Sequence, residues 1–162
     1  MASMLRRAFG KVFSAGLAVN AALTRSRLRV LEQRLLTPAF VTLTKWVRGS
    51  RPVEPTAAAI GSEWERLLAS RKTAHVTNVE TQTANTPETA YGEISVHCPL
   101  RGTGDVHACH RLMAYDRALV EAAGGQFIVL DSQATPGRTH CRIAIRKRGE
   151  RVDDLVPAHE KP

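Results

Sequence analysis

Residues 139–146 read Thr-His-Cys-Arg-Ile-Ala-Ile-Arg, and Cys141, Ile143 and Ile145 fall on every second position. Side chains alternate across a strand, so this period predicts a β-strand with one face against a core. Tyr91 to Leu100 alternates in the same way, with Ile94, Val96 and Cys98 on one face and Glu93, Ser95 and His97 on the other. The β-branched stretch His75 to Thr83 and the segment Phe127 to Asp131 supply two further strands. Thr135-Pro136-Gly137 is turn chemistry before the last of them. The four together predict an antiparallel sheet in which Cys98 and Cys141 face the same core.

Between these strands the period lengthens. Asp105 is a suitable N-cap for a helix running to Ala123 and closed by Gly124-Gly125, and Cys109, Leu112, Asp116, Leu119 and Ala123 share one face of it. Another helix is expected near Ser62, where Ser62 and Glu65 have capping-box spacing ahead of Leu67 and Leu68. The fold class read from these signals is α+β: N-terminal amphipathic helices followed by a small antiparallel sheet covered by helices. Residues 54–150 form the small-molecule-binding domain in this reading. Residues 151–162, charged and punctuated by proline, read as a loose tail.

Charge is divided unevenly along the chain. Residues 1–53 hold ten Lys or Arg against one acid, Glu32, for a net +9, so the remainder of the +8 chain sums to −1. The high isoelectric point is therefore no argument for nucleic acid as a partner of the domain. Leu5, Phe9, Val12, Phe13, Leu17 and Ala21 recur at helical spacing with Arg6, Arg7 and Lys11 elsewhere on the wheel; Leu28, Leu31, Leu35 and Leu36 repeat the pattern. Pro38 interrupts or restarts the helix before Phe40 to Trp46, and Gly49 to Pro55 marks a connection. Residues 1–53 thus form a basic amphipathic segment that packs on the domain, joins a homo-oligomer or lies on a membrane surface. Arg6-Arg7 followed by the apolar stretch Val12 to Leu23 also imitates an export signal, although Arg25, Arg27 and Arg29 directly after it oppose translocation. The absence of acids before Glu32 equally fits a transit peptide. No run reaches the about 18 apolar residues that span a bilayer. Three cysteines, an odd number and widely spaced, suit a reducing compartment, so a cytoplasmic, membrane-associated or soluble location is expected.

Cys98, Cys109 and Cys141 are all expected to face inward, with Asp116 on the helical face of Cys109. Such a set can provide a thiolate nucleophile, hold a soft metal or line a small-molecule pocket. Each cysteine can equally be a small hydrophobe in the core, and Asp116 a salt bridge or cap inside the fold. Zinc fits poorly, because there is no C-x-x-C pair and His75, His97, His107, His110, His140 and His159 form no ligand ladder; no metal or cofactor is expected. His97, His107, His110 and His140 are read as surface residues. No phosphate-binding glycine loop, G-x-S-x-G elbow or RNA-binding aromatic motif is present.

Ile94-Ser95-Val96-His97-Cys98-Pro99, Leu112-Met113-Ala114-Tyr115-Asp116 and Gly137-Arg138-Thr139-His140-Cys141-Arg142-Ile143 together resemble the L-2-amino-thiazoline-4-carboxylic acid hydrolase-like family. The last segment is also similar to the 4-vinyl reductase, or hydrocarbon-binding, domain family, whose members bind small apolar ligands. The resemblance covers about 50 residues. It implies a hydrolase acting on a non-peptide C–N bond of a small cyclic amidine, with Asp116 as general acid or base and Cys98, Cys109 or Cys141 as nucleophile or pocket wall. The alternative it leaves is a non-catalytic ligand-binding or sensor domain. Where the hydrolase-like pattern has Cys three residues before Asp, this chain has Met113, with Cys109 one turn earlier; Gln133 stands where the second family often has another cysteine.

Overall fold

A computed structural model describes residues 37–49, 51–68 and 74–161, together with Val19, Ala21 and Ala22. The helices expected over residues 3–23 and 25–36 lie outside the described residues apart from those three positions. The described elements are α1 (Thr37–Arg48), α2 (Ala57–Leu67), β1 (Ala74–Glu80), β2 (Thr89–Ile94), α3 (Val106–Leu112), α4 (Ala114–Ala122), β3 (Gly125–Asp131) and β4 (Cys141–Lys147). The strands form one sheet in the order β1-β2-β4-β3, with every neighbouring pair antiparallel. The fold is α+β, a four-stranded antiparallel sheet with helices packed on it.

Alternation decides which face the helices cover. Ala90, Gly92 and Ile94 of β2 pair with Ile145, Ile143 and Cys141 of β4, and Phe127 and Val129 of β3 pair with Ile145 and Ile143. All of these are buried. Helix α2 lays Ile60 and Trp64 over the central strands, while α4 packs on β3 and α1 packs outside α4 and α2. Close approach depends on small residues. A Cβ on Gly125 would come within 2.7 Å of Val120 Cγ1, 2.8 Å of Ile60 Cγ2 and 3.1 Å of the Arg146 carbonyl.

Four expectations are corrected. Helix α2 begins at Ala57 rather than near Ser62. Its N-cap is Thr56, whose hydroxyl accepts from Ala59 N at 3.2 Å, and the Glu88 carboxylate accepts from Ala57 N at 2.6 Å. Glu65 turns away from its expected capping role and accepts from Val76 N at 3.1 Å. The long helix after Asp105 breaks at Met113 into α3 and α4, and the Arg117 guanidinium donates to the His110 carbonyl at 2.7 Å beside the break. Strand β2 ends at Ile94, so Cys98 is buried from a loop beyond the strand.

The C-terminal segment, expected as a loose tail, is instead tied down. Arg146 is 0% exposed on the sheet face opposite the helices, and its guanidinium makes a two-pronged ion pair with Asp154 at 2.6 and 2.7 Å. It also donates to Thr89 Oγ1 at 2.8 Å and to the Arg151 carbonyl at 2.7 Å. Leu155 is buried, Ala158 N donates to the Val129 carbonyl at 2.8 Å, and Lys161 reaches Asp131 at 3.0 Å. A buried guanidinium needs its charge met, and residues 151–161 meet it.

Candidate functional site

The loop after β2 carries the first cysteine of the site. Its backbone is zipped to the β3–β4 connection: Gly102 N donates to the Gln133 carbonyl and Gly104 N to the Ala134 carbonyl, both at 2.8 Å. Gly102 and Gly104 have φ of 68° and 74°, a region L-residues other than glycine rarely occupy. Gln133, fully buried, holds the other side. Its Oε1 accepts from Arg101 Nε at 2.8 Å and Cys98 N at 3.4 Å, and its Nε2 donates to the carbonyls of Ile94 and Val96 at 3.0 and 2.9 Å. The residue standing where a further cysteine was compared is therefore a clamp for the loop.

Helix α3 supplies the second cysteine. Asp105 caps it, its carboxylate accepting from Ala108 N at 2.7 Å, and Cys109 lies on its buried face. The first residue of β4 supplies the third. Exposure is 4% at Cys98, 1% at Cys109 and 0% at Cys141, and all three are free thiols. All three are buried in the same core. Cys141 and Cys109 influence each other's ionisation directly, charge on Cys109 is felt at Cys98, and charge on Cys98 is felt at Cys141.

The three thiols are not equivalent. Burial pushes Cys98 up, with Leu100 N donating to its sulfur at 3.4 Å as a partial offset. Cys109 is lowered because Cys141 and Ser132 both hydrogen-bond to its sulfur, against the opposing effect of burial, and the Arg117 charge adds to the lowering. Cys141 is pushed strongly up, first because it is the donor to Cys109 and then by burial. Of the three thiols, Cys109 alone is shifted toward ionisation.

Asp116 lies in the first turn of α4. The residue keeps some exposure, but its carboxyl is deeply surrounded. Trp64 Nε1 donates to it at 3.0 Å. Burial pushes its pKa up to about 6, with the Trp64 hydrogen bond and the Arg117 charge working the other way. Its charge is felt at Cys109.

Spacing along the chain concealed Trp64, Ser132 and Arg117. The only signal for Arg117 was its adjacency to Asp116. Ser132 follows the last residue of β3, and nothing in the sequence pointed to it. Among the histidines, His97 and His107 are exposed and His140 is half-buried, 3.7 Å from Glu93. His110 departs from the surface reading. It is half-buried with its ring centroid 3.8 Å from that of His159, and burial with neighbouring positive charge pushes its pKa down to about 4. Among the described residues, no group of three or more His, Cys, Asp or Glu is placed to hold a metal ion, and no helix is long and apolar enough to cross a membrane. On the opposite sheet face, Tyr91, Glu80, Arg142, Asp154 and Lys161 line an open polar groove of about 450 Å³.

Set against protein-family models, curated proteins and solved structures, the chain matches none.

Proposed function

We propose that the domain is a small-molecule hydrolase acting on a non-peptide C–N bond, with Cys109 as its nucleophile. The observation that carries this reading is the core burial of Cys98, Cys109 and Cys141, in which Cys109 alone is shifted toward ionisation while the other two are pushed up. A thiol kept ready to ionise beside a carboxyl titrating near neutral pH is the pairing that nucleophilic hydrolysis requires. The family resemblance in the segments around Cys98, Asp116 and Cys141 gives the substrate class, a small cyclic amidine.

In this mechanism the Cys109 sulfur attacks the amidine carbon. The C–N bond then breaks with its electron pair on nitrogen, and the protonated Asp116 carboxyl supplies the proton to the departing amine. Water, losing a proton to the Asp116 carboxylate, next attacks the carbon bound to sulfur, and the C–S bond breaks to restore the Cys109 thiolate. Because all three thiols are buried, substrate enters as the loop of residues 95–104 moves away from Gln133. The test is incubation of the full chain with 2-amino-thiazoline-4-carboxylate and related cyclic amidines, with ring opening followed by mass spectrometry. Turnover lost in Cys109→Ala and in Asp116→Asn, both still folded, is the expected result. Turnover retained in Cys109→Ala would remove the nucleophile assignment.

The same burial favours a second reading, a non-catalytic domain that binds a small apolar ligand against the thiols. It expects thermal stabilisation by such compounds with no product formed.

A further inference from the structure

Helix α1 presents its faces in the reverse of the usual order. The positions turned inward are Thr37, Val41 and Thr44, and the Thr44 hydroxyl is hydrogen-bonded at 2.7 Å to that of Tyr115 on α4. Its large apolar side chains face solvent: Phe40, Leu43, Trp46 and Val47 are 44%, 45%, 81% and 40% exposed. Spaced three and four apart, they form one stripe along the helix. An amphipathic helix of a free-standing domain turns such a stripe to the core, so this one is built to meet something else.

We propose that α1 lies in the interface of an anionic lipid bilayer, with this stripe turned toward the acyl chains. Charge chooses among the surfaces that could cover it. Helix α1 contains no acid, Lys45 and Arg48 stand in its last turn, and Arg51 follows. A second copy would bring the same cationic segment against itself. Residues 1–36 carry seven Lys or Arg against Glu32 alone, so they offer no countercharge either. Anionic headgroups supply what both lack. The most exposed apolar side chain is a tryptophan, whose amphipathic ring favours the membrane–water boundary. Apolar insertion and a polybasic flank together make the two signals that stable surface binding needs. The Arg66 guanidinium on α2 donates to the carbonyls of Arg48 and Gly49 at 2.8 and 2.6 Å, so the domain follows the helix to the surface.

The full chain is mixed with vesicles of phosphatidylcholine, alone or with phosphatidylglycerol, and tryptophan emission and co-sedimentation are recorded. Trp64 is buried, so a change in emission reports Trp46. Binding with a blue shift on phosphatidylglycerol vesicles, weakened by salt, is expected; Trp46→Phe should abolish the shift. The double variant Leu43→Ser, Trp46→Ser should fold as the parent does and bind at least about tenfold more weakly. Failure to bind phosphatidylglycerol vesicles would overturn the proposal, as would unchanged binding by the double variant, which would place the contact in the charges of residues 1–36. Blue emission already present in buffer would also overturn it. With a dimer that the double variant disperses, it would assign the stripe to a second copy; in a monomer, it would assign the stripe to the chain's own residues.

Discussion

Cys141, the first residue of β4, and Cys109, on the buried face of α3, are buried neighbours whose ionisations oppose each other. A thiolate accepts hydrogen bonds well and donates none, so the pair divides its protons unequally. Cys141 and Ser132 act to lower Cys109, and Arg117 adds positive charge nearby.

This asymmetry is measurable as selective reactivity. Peptide mapping after brief iodoacetamide treatment across pH should give Cys109 a midpoint below the ordinary thiol value of 9.0, with Cys98 and Cys141 above it. Cys141→Ala removes the larger donor and should move the Cys109 midpoint upward, whereas Cys141→Ser keeps a donor and should move it less. An unmoved midpoint in Cys141→Ala would mean that the hydrogen bond does not set the charge.

Asp116 makes a prediction about stability with a definite sign. Its folded pKa of about 6 lies above the ordinary 3.8, so the fold prefers the protonated carboxyl. That preference stabilises fully below about pH 4 and is lost as pH rises through about 6. Asp116→Asn keeps an acceptor for Trp64 and never ionises. Denaturant melts should therefore show variant and parent changing alike with pH below about pH 4, with the variant gaining relative stability by pH 8. A variant that loses relative stability over that range would show that the carboxylate is the preferred form.

The C-terminal segment behaves in the opposite sense. The Asp154 carboxyl is held down to about 2, chiefly by its hydrogen bonds with Arg146. Its contribution is present above the ordinary 3.8 and lost as pH falls through about 2. Asp154→Ala leaves a buried guanidinium with only the Thr89 hydroxyl and the Arg151 carbonyl as neutral partners. Since the aspartate side chain is 34% exposed, the cost should be about 2 kcal/mol, below the range for a fully buried pair. Urea melts at pH 7 should show that loss, and the gap between variant and parent should narrow below about pH 4.

The sheet was legible because alternation at Ile94, Cys141, Ile143 and Ile145 leaves only one way to bury them. The burial of all three cysteines was legible in the same way, since each stands among apolar neighbours in the sequence. The break at Met113 was not, because no glycine or proline marks it; Arg117 meets the His110 carbonyl beside it through a contact local spacing does not reveal. The fixed C-terminus escaped as well. Asp154 looks like one acid in a charged tail until Arg146 is known to be buried under it. Alternation gave Arg146 an outward face, and outward on a sheet does not mean exposed when another segment lies across it.

Gln133 offers the sharpest test of how the site opens. Its side chain is the polar partner of Ile94, Val96, Cys98 and Arg101 at once; Ile94 and Cys98 are buried, Val96 is half-buried and Arg101 is exposed. Gln133→Ala leaves two carbonyls and one amide of the loop unmatched and opens a small void, so it should cost about 2–4 kcal/mol. The backbone bonds from Gly102 and Gly104 survive the change, which confines the loosening to the loop ahead of them. Each 1.4 kcal/mol removed from the free energy of local opening raises the open population about tenfold. Iodoacetamide labelling of Cys98 under native conditions should therefore rise at least about tenfold in the variant, while Cys141, held in β4, rises much less. Equal acceleration at both thiols would show that Gln133 supports the whole domain, and entry by way of this loop would lose its basis.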